Sequence, residues 1–175
     1  MKINKPKFWE KDKSFLSYLL FPISLIIIGY IYLKKRIIKK ENFKIPVVCI
    51  GNIYLGGTGK TPTSIFIANE FFKQGKKPVI IRKYYKSHTD EHRLIKAYVK
   101  NLILSKNRAH GILEAEKKNF DVAILDDGFQ DYKIKKDLNI ICFNGKQLVG
   151  NGYVLPAGPL RENLNALKNA NIILI

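Results

Sequence analysis

Hydrophobic residues along the chain alternate between short continuous runs and longer stretches with helical spacing. The short runs are rich in β-branched residues, which is typical of buried strands, and they cover residues 47–50, 78–82, 121–125, 138–143 and 171–175. Apolar residues recur at helical spacing in residues 62–74, 92–104 and 107–118. Strands that alternate with helices predict an α/β fold, in which a mostly parallel, twisted sheet carries helices on both faces.

The helix predicted for residues 62–74 has a recognisable beginning and end. Pro62 suits the first turn of a helix, because the N–H that proline lacks has no partner there, and Gly75 is a typical helix stop. Four apolar residues are predicted to share the face that packs on the sheet: Ile65, Ala68, Phe71 and Phe72.

Residues 14–33 form a separate, uncharged segment of twenty residues. As a helix this segment is about 30 Å long, which is the thickness of the hydrocarbon layer of a membrane. Lys34-Lys35-Arg36 follows it in place of a small-residue cleavage site, which argues against a signal peptide and places the rest of the chain in the cytoplasm. We expect residues 1–40 to associate with a membrane, by spanning it or by lying in one leaflet; the alternative is a buried helix of a soluble core.

Composition and charge narrow the choice of partners. The 175-residue chain has 31 Lys and Arg against 14 Asp and Glu, a formal net charge of +17. This charge suits an anionic membrane, a phosphorylated small molecule or nucleic acid. Nucleic-acid binding is not expected, because no interleaved basic and aromatic motif is present. Cys49 and Cys142 lie in strand-like runs and are predicted to be reduced core residues without metal-binding spacing.

The first strand runs into residues 51–62, Gly-Asn-Ile-Tyr-Leu-Gly-Gly-Thr-Gly-Lys-Thr-Pro. A strand, a glycine-rich turn, Gly-Lys-Thr and a helix form the layout of a phosphate-binding loop, in which free N–H groups and a helix N-terminus attract anionic oxygens. Lys60 is predicted to reach the β- and γ-phosphates of a nucleotide, and the Thr61 hydroxyl to bind Mg²⁺. The strict motif has glycine where this chain has Tyr54, but Gly56 and Gly57 keep the backbone free.

Two acidic residues, Asp126 and Asp127, directly follow the strand at 121–125. Nucleotide-binding folds place a carboxylate beside Mg²⁺ in this position, and two adjacent acids are costly unless a cation or hydrogen-bond donors lie nearby. We therefore predict that these residues contribute to a metal site; an acid that caps the turn before Gly128 is the alternative.

Residues 88–92, His-Thr-Asp-Glu-His, crowd two histidines and two acids together. They do not match the zinc-protease motif. Either they form a solvated loop that leads into a helix, or Asp90 points into the cleft as a base for a substrate hydroxyl.

Residues 150–162 are too rich in Gly and Pro for a helix or strand. A long ordered loop at the edge of a sheet is often functional. Arg161 in this loop is a natural phosphate ligand, because its guanidinium group bonds oxygens bidentately; pairing with Glu162 is the structural alternative.

These segments together resemble the tetraacyldisaccharide 4′-kinases of lipid A biosynthesis. The resemblance rests on Gly51-Asn52 with residues 56–62, on Asp90-Glu91, on residues 126–130 (Asp-Asp-Gly-Phe-Gln), and on residues 150–152 with 155–162. The motifs occur in the family's order, after its apolar N-terminal segment, and cover nearly the whole chain. The resemblance also accounts for Tyr54, because the family does not keep the first glycine of the strict loop.

The resemblance implies transfer of the γ-phosphoryl group of ATP to the 4′-hydroxyl of an acylated disaccharide 1-phosphate, at the cytoplasmic face of the bacterial inner membrane. It implies ATP and Mg²⁺ as cofactors, and Asp90 and Lys60 as catalytic residues. The remaining site residues are expected as follows. The nucleotide contacts Tyr54, Leu55, Gly56, Gly57, Thr58, Gly59, Lys60 and Thr61; Mg²⁺ contacts Thr61, Asp126 and Asp127; the substrate contacts Arg161 and Gln130.

The chain departs from the family pattern in three places. Residues 81–85 read Ile-Arg-Lys-Tyr-Tyr where the family usually has Ser-Arg-Gly-Tyr, and Asp131 stands where it often has His. The family also continues past this point and supplies a His that partners the catalytic carboxylate. We therefore expect residues 41–175 to be an incomplete P-loop kinase domain, from a fragment or a degraded relative.

Two other functions are compatible with the sequence. Membrane-associated partitioning ATPases have a similar loop, although Leu55 stands where they have a signature Lys, and they dimerise over ATP. A non-catalytic protein of the membrane surface, whose loop binds nucleotide or nothing, is the other alternative. The sequence does not predict an oligomeric state.

Overall fold

The computed structural model describes residues 5–11, 14–85 and 89–175, which form four α-helices and six β-strands. The helices are α1 (Phe15–Ile37), α2 (Lys60–Lys73), α3 (Thr89–Tyr98) and α4 (Arg108–Lys117). The strands are β1 (Val47–Gly51), β2 (Pro78–Lys83), β3 (Leu102–Ser105), β4 (Val122–Asp126), β5 (Leu138–Cys142) and β6 (Ile172–Leu174). Short 3₁₀ helices cover Lys7–Glu10 and Leu164–Asn169.

The strands form one parallel sheet in the order β3-β2-β4-β1-β5-β6. The chain passes from β1 to β2 on one side and later reaches β5 on the other side of β1, so the sheet has a topological switch point there. Ligands of α/β sheets bind at such points, outside the carboxyl ends of the strands. Ile50 at the end of β1 lies opposite Asp126 at the end of β4, so the loop after β1 and the acidic pair after β4 are neighbours.

Alternate residues of strands β1 to β5 face two separate hydrophobic clusters, whereas the edge strand β6 is exposed. Val47 of β1 packs in the cluster that contains Ile112 of α4. Val48 belongs to the opposite cluster, with Ile65 of α2 and Ile95 of α3. The predicted α/β fold with helices on both faces is therefore confirmed, and burial on both faces explains why the strands are continuously apolar. Cys49 and Cys142 are buried and free, as predicted.

Two predictions about individual elements were wrong. Residues 92–104 do not form one helix, because α3 ends at Tyr98 and residues 102–105 pair with β2 as strand β3. Pairing with an existing strand outweighs a weak helical pattern.

Phe72 is 52% exposed and does not pack on the sheet. It lies in the last turn of α2, at the rim of the fold, where Lys100 lies 5.2 Å from the centre of its ring.

Helix α1 is attached to the surface of the domain by one side. Its buried residues are Ser17 and Ser24, whereas most of its large apolar side chains are exposed, including Leu19 and Ile26. By length and composition α1 is able to cross a membrane. Within the described residues, α1 is therefore not buried as the alternative of a core helix predicted.

Candidate nucleotide-binding site

The loop between β1 and α2 leaves its backbone accessible at two glycines. α2 begins at Lys60, two residues earlier than predicted, so the unpaired N–H groups of its first turn adjoin the loop. Gly59, just before the helix, has a φ of 81°, in the left-handed region that favours glycine. A Cβ added to Gly57 or Gly59 meets no atom within 4 Å. An anionic group can therefore approach these amides closely.

Side chains beneath the loop hold its path. Asn52 Nδ2 donates to the Thr58 hydroxyl at 2.9 Å and to the Gly56 carbonyl at 3.3 Å. Tyr54, which was predicted to contact the nucleotide, has its side chain in the hydrophobic core. The Leu55 N–H donates to the Pro159 carbonyl at 2.9 Å. Tyr54 and Leu55 thus anchor the loop, while Gly57, Gly59 and Lys60 lie on its accessible side.

Three charged residues from distant parts of the chain meet beside the loop. Lys60 Nζ lies 3.8 Å from Asp127 Oδ1. Arg161 Nη1 donates to both oxygens of the same carboxylate, at 2.9 Å and 3.2 Å. The predicted alternative for Arg161, a pair with Glu162, is therefore replaced by a pair with Asp127.

Burial and mutual attraction shift the pKa values of this cluster. Burial lowers the pKa of Lys60, and the nearby Asp127 opposes that effect only in part. Burial alone would raise the pKa of Asp127, but Lys60, Arg161 and Arg108 together hold it below the ordinary value. Asp127 is therefore ionised at neutral pH and offsets part of the positive charge around it.

The second acid, Asp126, lies on the other side of the loop and is fully buried. Its carboxylate accepts hydrogen bonds from the Thr61 hydroxyl at 3.1 Å and the Ser64 hydroxyl at 3.2 Å. Arg82 forms an ion pair with it and also donates to the Thr61 hydroxyl at 3.1 Å. Of the three residues predicted to contact Mg²⁺, the structure brings Thr61 and Asp126 together and directs Asp127 to Lys60 and Arg161 instead. Arg82 was not predicted to belong to the site. The one indication available was an arginine at the end of an apolar strand.

Arg108 fixes the turn that separates the two acids. Its Nη2 donates to the carbonyls of Asp126 at 3.1 Å and Asp127 at 2.8 Å, and its Nη1 lies 3.6 Å from an Asp131 oxygen. Asp127 has a φ of 56°, which is unfavourable for a residue with a side chain. Arg108 stabilises this turn, and the turn directs the two carboxylates to different partners. No sequence motif indicated Arg108.

Gln130 connects the site to the Gly- and Pro-rich loop. Its Nε2 donates to the Asn52 carbonyl at 2.9 Å and to Glu162 Oε1 at 3.1 Å. Its Oε1 accepts from Arg161 Nη1 at 3.3 Å. Gln130 was predicted to contact the substrate; the structure places it between the β1 loop and residues 161–162.

Asp90 lies in the first turn of α3, with its side chain exposed. The adjacent Glu91 forms an ion pair with Arg82, so the start of α3 lies beside the Thr61–Asp126 side of the site. His92 is buried, with its ring stacked on Tyr84 at 5.9 Å between ring centres. His88 lies outside the described residues.

These residues are suited to a nucleotide with a hard divalent cation. Within residues 5–11, 14–85 and 89–175, no group of three or more His, Cys, Asp or Glu side chains gathers into a metal site. Mg²⁺ does not need such a group, because it is commonly held by one or two protein oxygens together with phosphate oxygens and water. The Thr61 hydroxyl and the Asp126 carboxylate supply oxygens of this kind.

A parallel α/β sheet with an open Gly-Lys-Thr loop after its first strand, and an aspartate at the end of the adjacent strand, defines a P-loop nucleotide-binding protein. The sequence profile of LpxK, tetraacyldisaccharide-1-P 4′-kinase, matches residues 16–175. The chain belongs to the tetraacyldisaccharide-1-P 4′-kinase family. The resemblance predicted from the motifs is thereby confirmed.

Individual relatives agree with this assignment. The chain is 49% identical over 172 residues to the tetraacyldisaccharide 4′-kinase of Pelagibacter ubique, which covers 97% of this chain and 54% of the relative. It is 34% identical over 178 residues to the enzyme of the same name from Nitrobacter hamburgensis, covering 93% and 53%. The chain thus spans about half the length of the curated relatives it matches.

A solved structure supports the predicted fold. The chain is similar to LpxK from Aquifex aeolicus, crystallised in complex with ATP, with a TM-score of 0.77 and 29% identity over 90% of this chain and 58% of that one. This similarity confirms the P-loop kinase fold. Membership of the kinase family also goes against the alternative of a partitioning ATPase.

Proposed function

We propose that this chain binds ATP at the β1–α2 loop and serves the phosphorylation of the 4′-hydroxyl of a tetraacyldisaccharide 1-phosphate in lipid A biosynthesis. The observation that carries the proposal is the meeting of Lys60, Asp127 and Arg161 beside an open glycine loop, in a chain of this kinase family. ATP binding is further supported by the Aquifex aeolicus relative, whose structure is in complex with ATP.

When ATP binds, its phosphate oxygens take the place of the Asp127 carboxylate as partners of two cations. Lys60 and Arg161 both contact Asp127, so two buried or half-buried cations share one carboxylate. Phosphate oxygens accept charge-assisted hydrogen bonds from these cations as a carboxylate does, and the amides around Gly57 and Gly59 add neutral donors. The cations then keep a negatively charged partner when the nucleotide enters.

Thr61 and Asp126 are the residues that would hold Mg²⁺. When bound, Mg²⁺ neutralises charge on the phosphates and orients them for transfer. Ser64 and Arg82 keep the Asp126 carboxylate directed at Thr61.

Asp90 is the base that accepts the proton of the attacking hydroxyl. Its exposed position at the start of α3 leaves it open to a substrate, and the Glu91–Arg82 pair keeps that helix end beside Asp126. We expect Asp90→Asn to lower phosphate transfer by about 10²–10⁴-fold while Mg·ATP binding is unchanged, because the general base acts only in the chemical step. Equal transfer rates would contradict this role.

An acylated substrate is held in a membrane, so a protein that acts on it must reach the membrane surface. The exposed apolar side of α1 ends in a last turn that carries the exposed Lys34 and Arg36, a combination suited to a hydrocarbon layer and an anionic headgroup region. We place the chain at the cytoplasmic face of the bacterial inner membrane for this reason.

The test is a paired measurement on the 175-residue chain in phospholipid vesicles. Titration calorimetry measures Mg·ATP binding, and labelled ATP reports transfer to the tetraacyldisaccharide 1-phosphate. We expect the wild type to bind Mg·ATP and Lys60→Met to lose binding, while Lys76→Met, the same change at an exposed lysine, binds normally. Failure of the folded wild type to bind Mg·ATP would favour a non-catalytic protein of the membrane surface.

A further inference from the structure

Helix α1 carries a polar stripe on its attached side. Ser17, Ser24 and Lys35 are separated by seven and eleven residues, about two and three turns, so they project from the same side of the helix. The serines are the residues of α1 that are buried. A helix whose apolar side chains are largely exposed is thus joined to the domain through polar groups as well as through Ile27 and Ile28, which pack against the core.

Both serines bind the loop of residues 150–162. The Ser17 hydroxyl accepts from Asn151 Nδ2 at 3.1 Å. The Ser24 hydroxyl donates to the Val154 carbonyl at 2.8 Å and accepts from the Ala157 N–H at 3.1 Å. The first part of this loop is therefore attached to α1 along two turns of the helix.

Lys35 attaches the last part of the same loop. It forms an ion pair with Glu162, whose side chain is only 1% exposed, and lies 4.8 Å from the centre of the Tyr132 ring. A buried carboxylate that loses its cation is strongly destabilised, so Glu162 depends on Lys35. Glu162 also accepts from Gln130 Nε2 at 3.1 Å.

Glu162 is the immediate neighbour of Arg161, which binds Asp127 at the phosphate loop. The Arg161 backbone N–H donates to the Ile53 carbonyl at 2.7 Å, and its side chain contacts Gln130 at 3.3 Å. A continuous set of contacts therefore leads from Lys35 through Glu162 to the residue that faces the phosphate site.

We propose that Lys35 is a positioning residue that, through Glu162, holds Arg161 and Gln130 at the phosphate site, so that the apolar helix α1 sets the geometry of nucleotide binding. This inference rests on the proposed function, in which Arg161 binds phosphate. It assigns to α1 a role in the site itself in addition to membrane attachment.

The experiment compares three variants of the full chain in phospholipid vesicles. Lys35→Met removes the charge, Lys35→Arg keeps it, and Lys39→Met makes the same change at an exposed lysine just beyond α1. Hydrogen–deuterium exchange without nucleotide measures how fast the backbone amides of residues 160–162 exchange. Calorimetry gives the dissociation constant of Mg·ATP. We expect Lys35→Met to speed exchange at these amides and weaken Mg·ATP binding by about 5- to 20-fold, a usual range for coupling between sites. Lys35→Arg and Lys39→Met are expected to match the wild type.

Other results would overturn the inference. Lys35→Met with wild-type exchange and affinity would show that Arg161 does not depend on α1. If Lys35→Met speeds amide exchange in β4 and β5 as much as in residues 160–162, the role of Lys35 is purely structural. If Lys35→Met does not fold, the double variant Lys35→Met with Glu162→Gln removes both charges of the pair. A folded double variant that binds Mg·ATP with wild-type affinity would also reject the inference. Reduced affinity for Mg·ATP in the double variant would support it. If the wild type binds no Mg·ATP, the proposed function fails, but the exchange comparison still decides whether Lys35 positions the loop.

Discussion

The ammonium group of Lys60 lies 3.8 Å from the carboxylate of Asp127, and Arg161 donates to the same carboxylate at 2.9 Å. The strand order brings the three together, because β1 and β4 are neighbours and the loop that carries Arg161 packs over the end of β1. Asp127 therefore offsets one of the two positive charges beside the phosphate loop, and the remaining positive charge favours an anionic ligand.

Replacing Lys60 by Met is expected to abolish Mg·ATP binding without lowering the melting temperature. Burial lowers the pKa of Lys60, which means that the folded site disfavours the charged amine, and Asp127 retains Arg161 as a partner. Thermal unfolding in vesicles, with Lys76→Met as the control, measures this. A melting temperature more than about 5 °C below the wild type would show that Lys60 stabilises the fold.

Acidification is expected to destabilise the fold partly through Asp127. The pKa of this carboxylate is held below its ordinary value in the folded state, whereas the unfolded chain takes up the proton near pH 4. The stabilisation is therefore complete above that pH and is lost as the pH falls towards the folded-state pKa. Urea unfolding from pH 6 to pH 3 should show a shallower loss for Asp127→Asn than for the wild type; parallel curves would contradict this.

Lysine substitutions on the exposed side of α1 are expected to release the chain from vesicles. Leu19 is 62% exposed and Ile26 is 73% exposed, so Leu19→Lys with Ile26→Lys removes apolar surface available to lipid but no core contact. Vesicle flotation measures binding, and the melting temperature in detergent should be unchanged. Phe66→Lys, at a residue 61% exposed on α2, is the control and should remain bound. Retention of the α1 variant would place the membrane attachment elsewhere.

The close approach of β1 to the acidic turn is expected to make Gly51 sensitive to substitution. A Cβ at Gly51 lies 2.5 Å from Phe129 Cβ and 3.1 Å from Phe129 N, so the turn that carries Asp127 must move. We expect Gly51→Ala to lower the free energy of unfolding by about 1–3 kcal/mol and to weaken Mg·ATP binding.

Gly29 in α1 provides the matched control for Gly51. A Cβ there meets nothing within 4 Å, and Gly29→Ala should be neutral or stabilising by about 1 kcal/mol, because alanine favours the helix. Equal effects of the two substitutions would show that the approach of Phe129 is unimportant. Denaturant unfolding and calorimetry distinguish these outcomes.

The predicted site residues that the structure brings together are those that short motifs describe. Gly-Lys-Thr between a strand and a helix requires few long-range contacts, so Lys60 and Thr61 were identified directly. An acid that ends an apolar strand identified Asp126 by the same kind of local rule. Arg82, Arg108 and Lys35 were missed because their role consists in reaching carboxylates or carbonyls far along the chain.

The sequence alone therefore determined the alternation of strands and helices, the phosphate loop, the apolar helix and the family resemblance. Each of these depends on local spacing of residue types, which the chain carries whatever its neighbours are. Tertiary structure decided the edge strand at residues 102–105, the choice of Asp127 over Glu162 as the partner of Arg161, and the attachment of α1 through Ser17, Ser24 and Lys35. These three features depend on which groups compete for the same partner once β1, β4 and the 150–162 loop lie side by side. The local spacing of residue types does not predict the outcome of that competition.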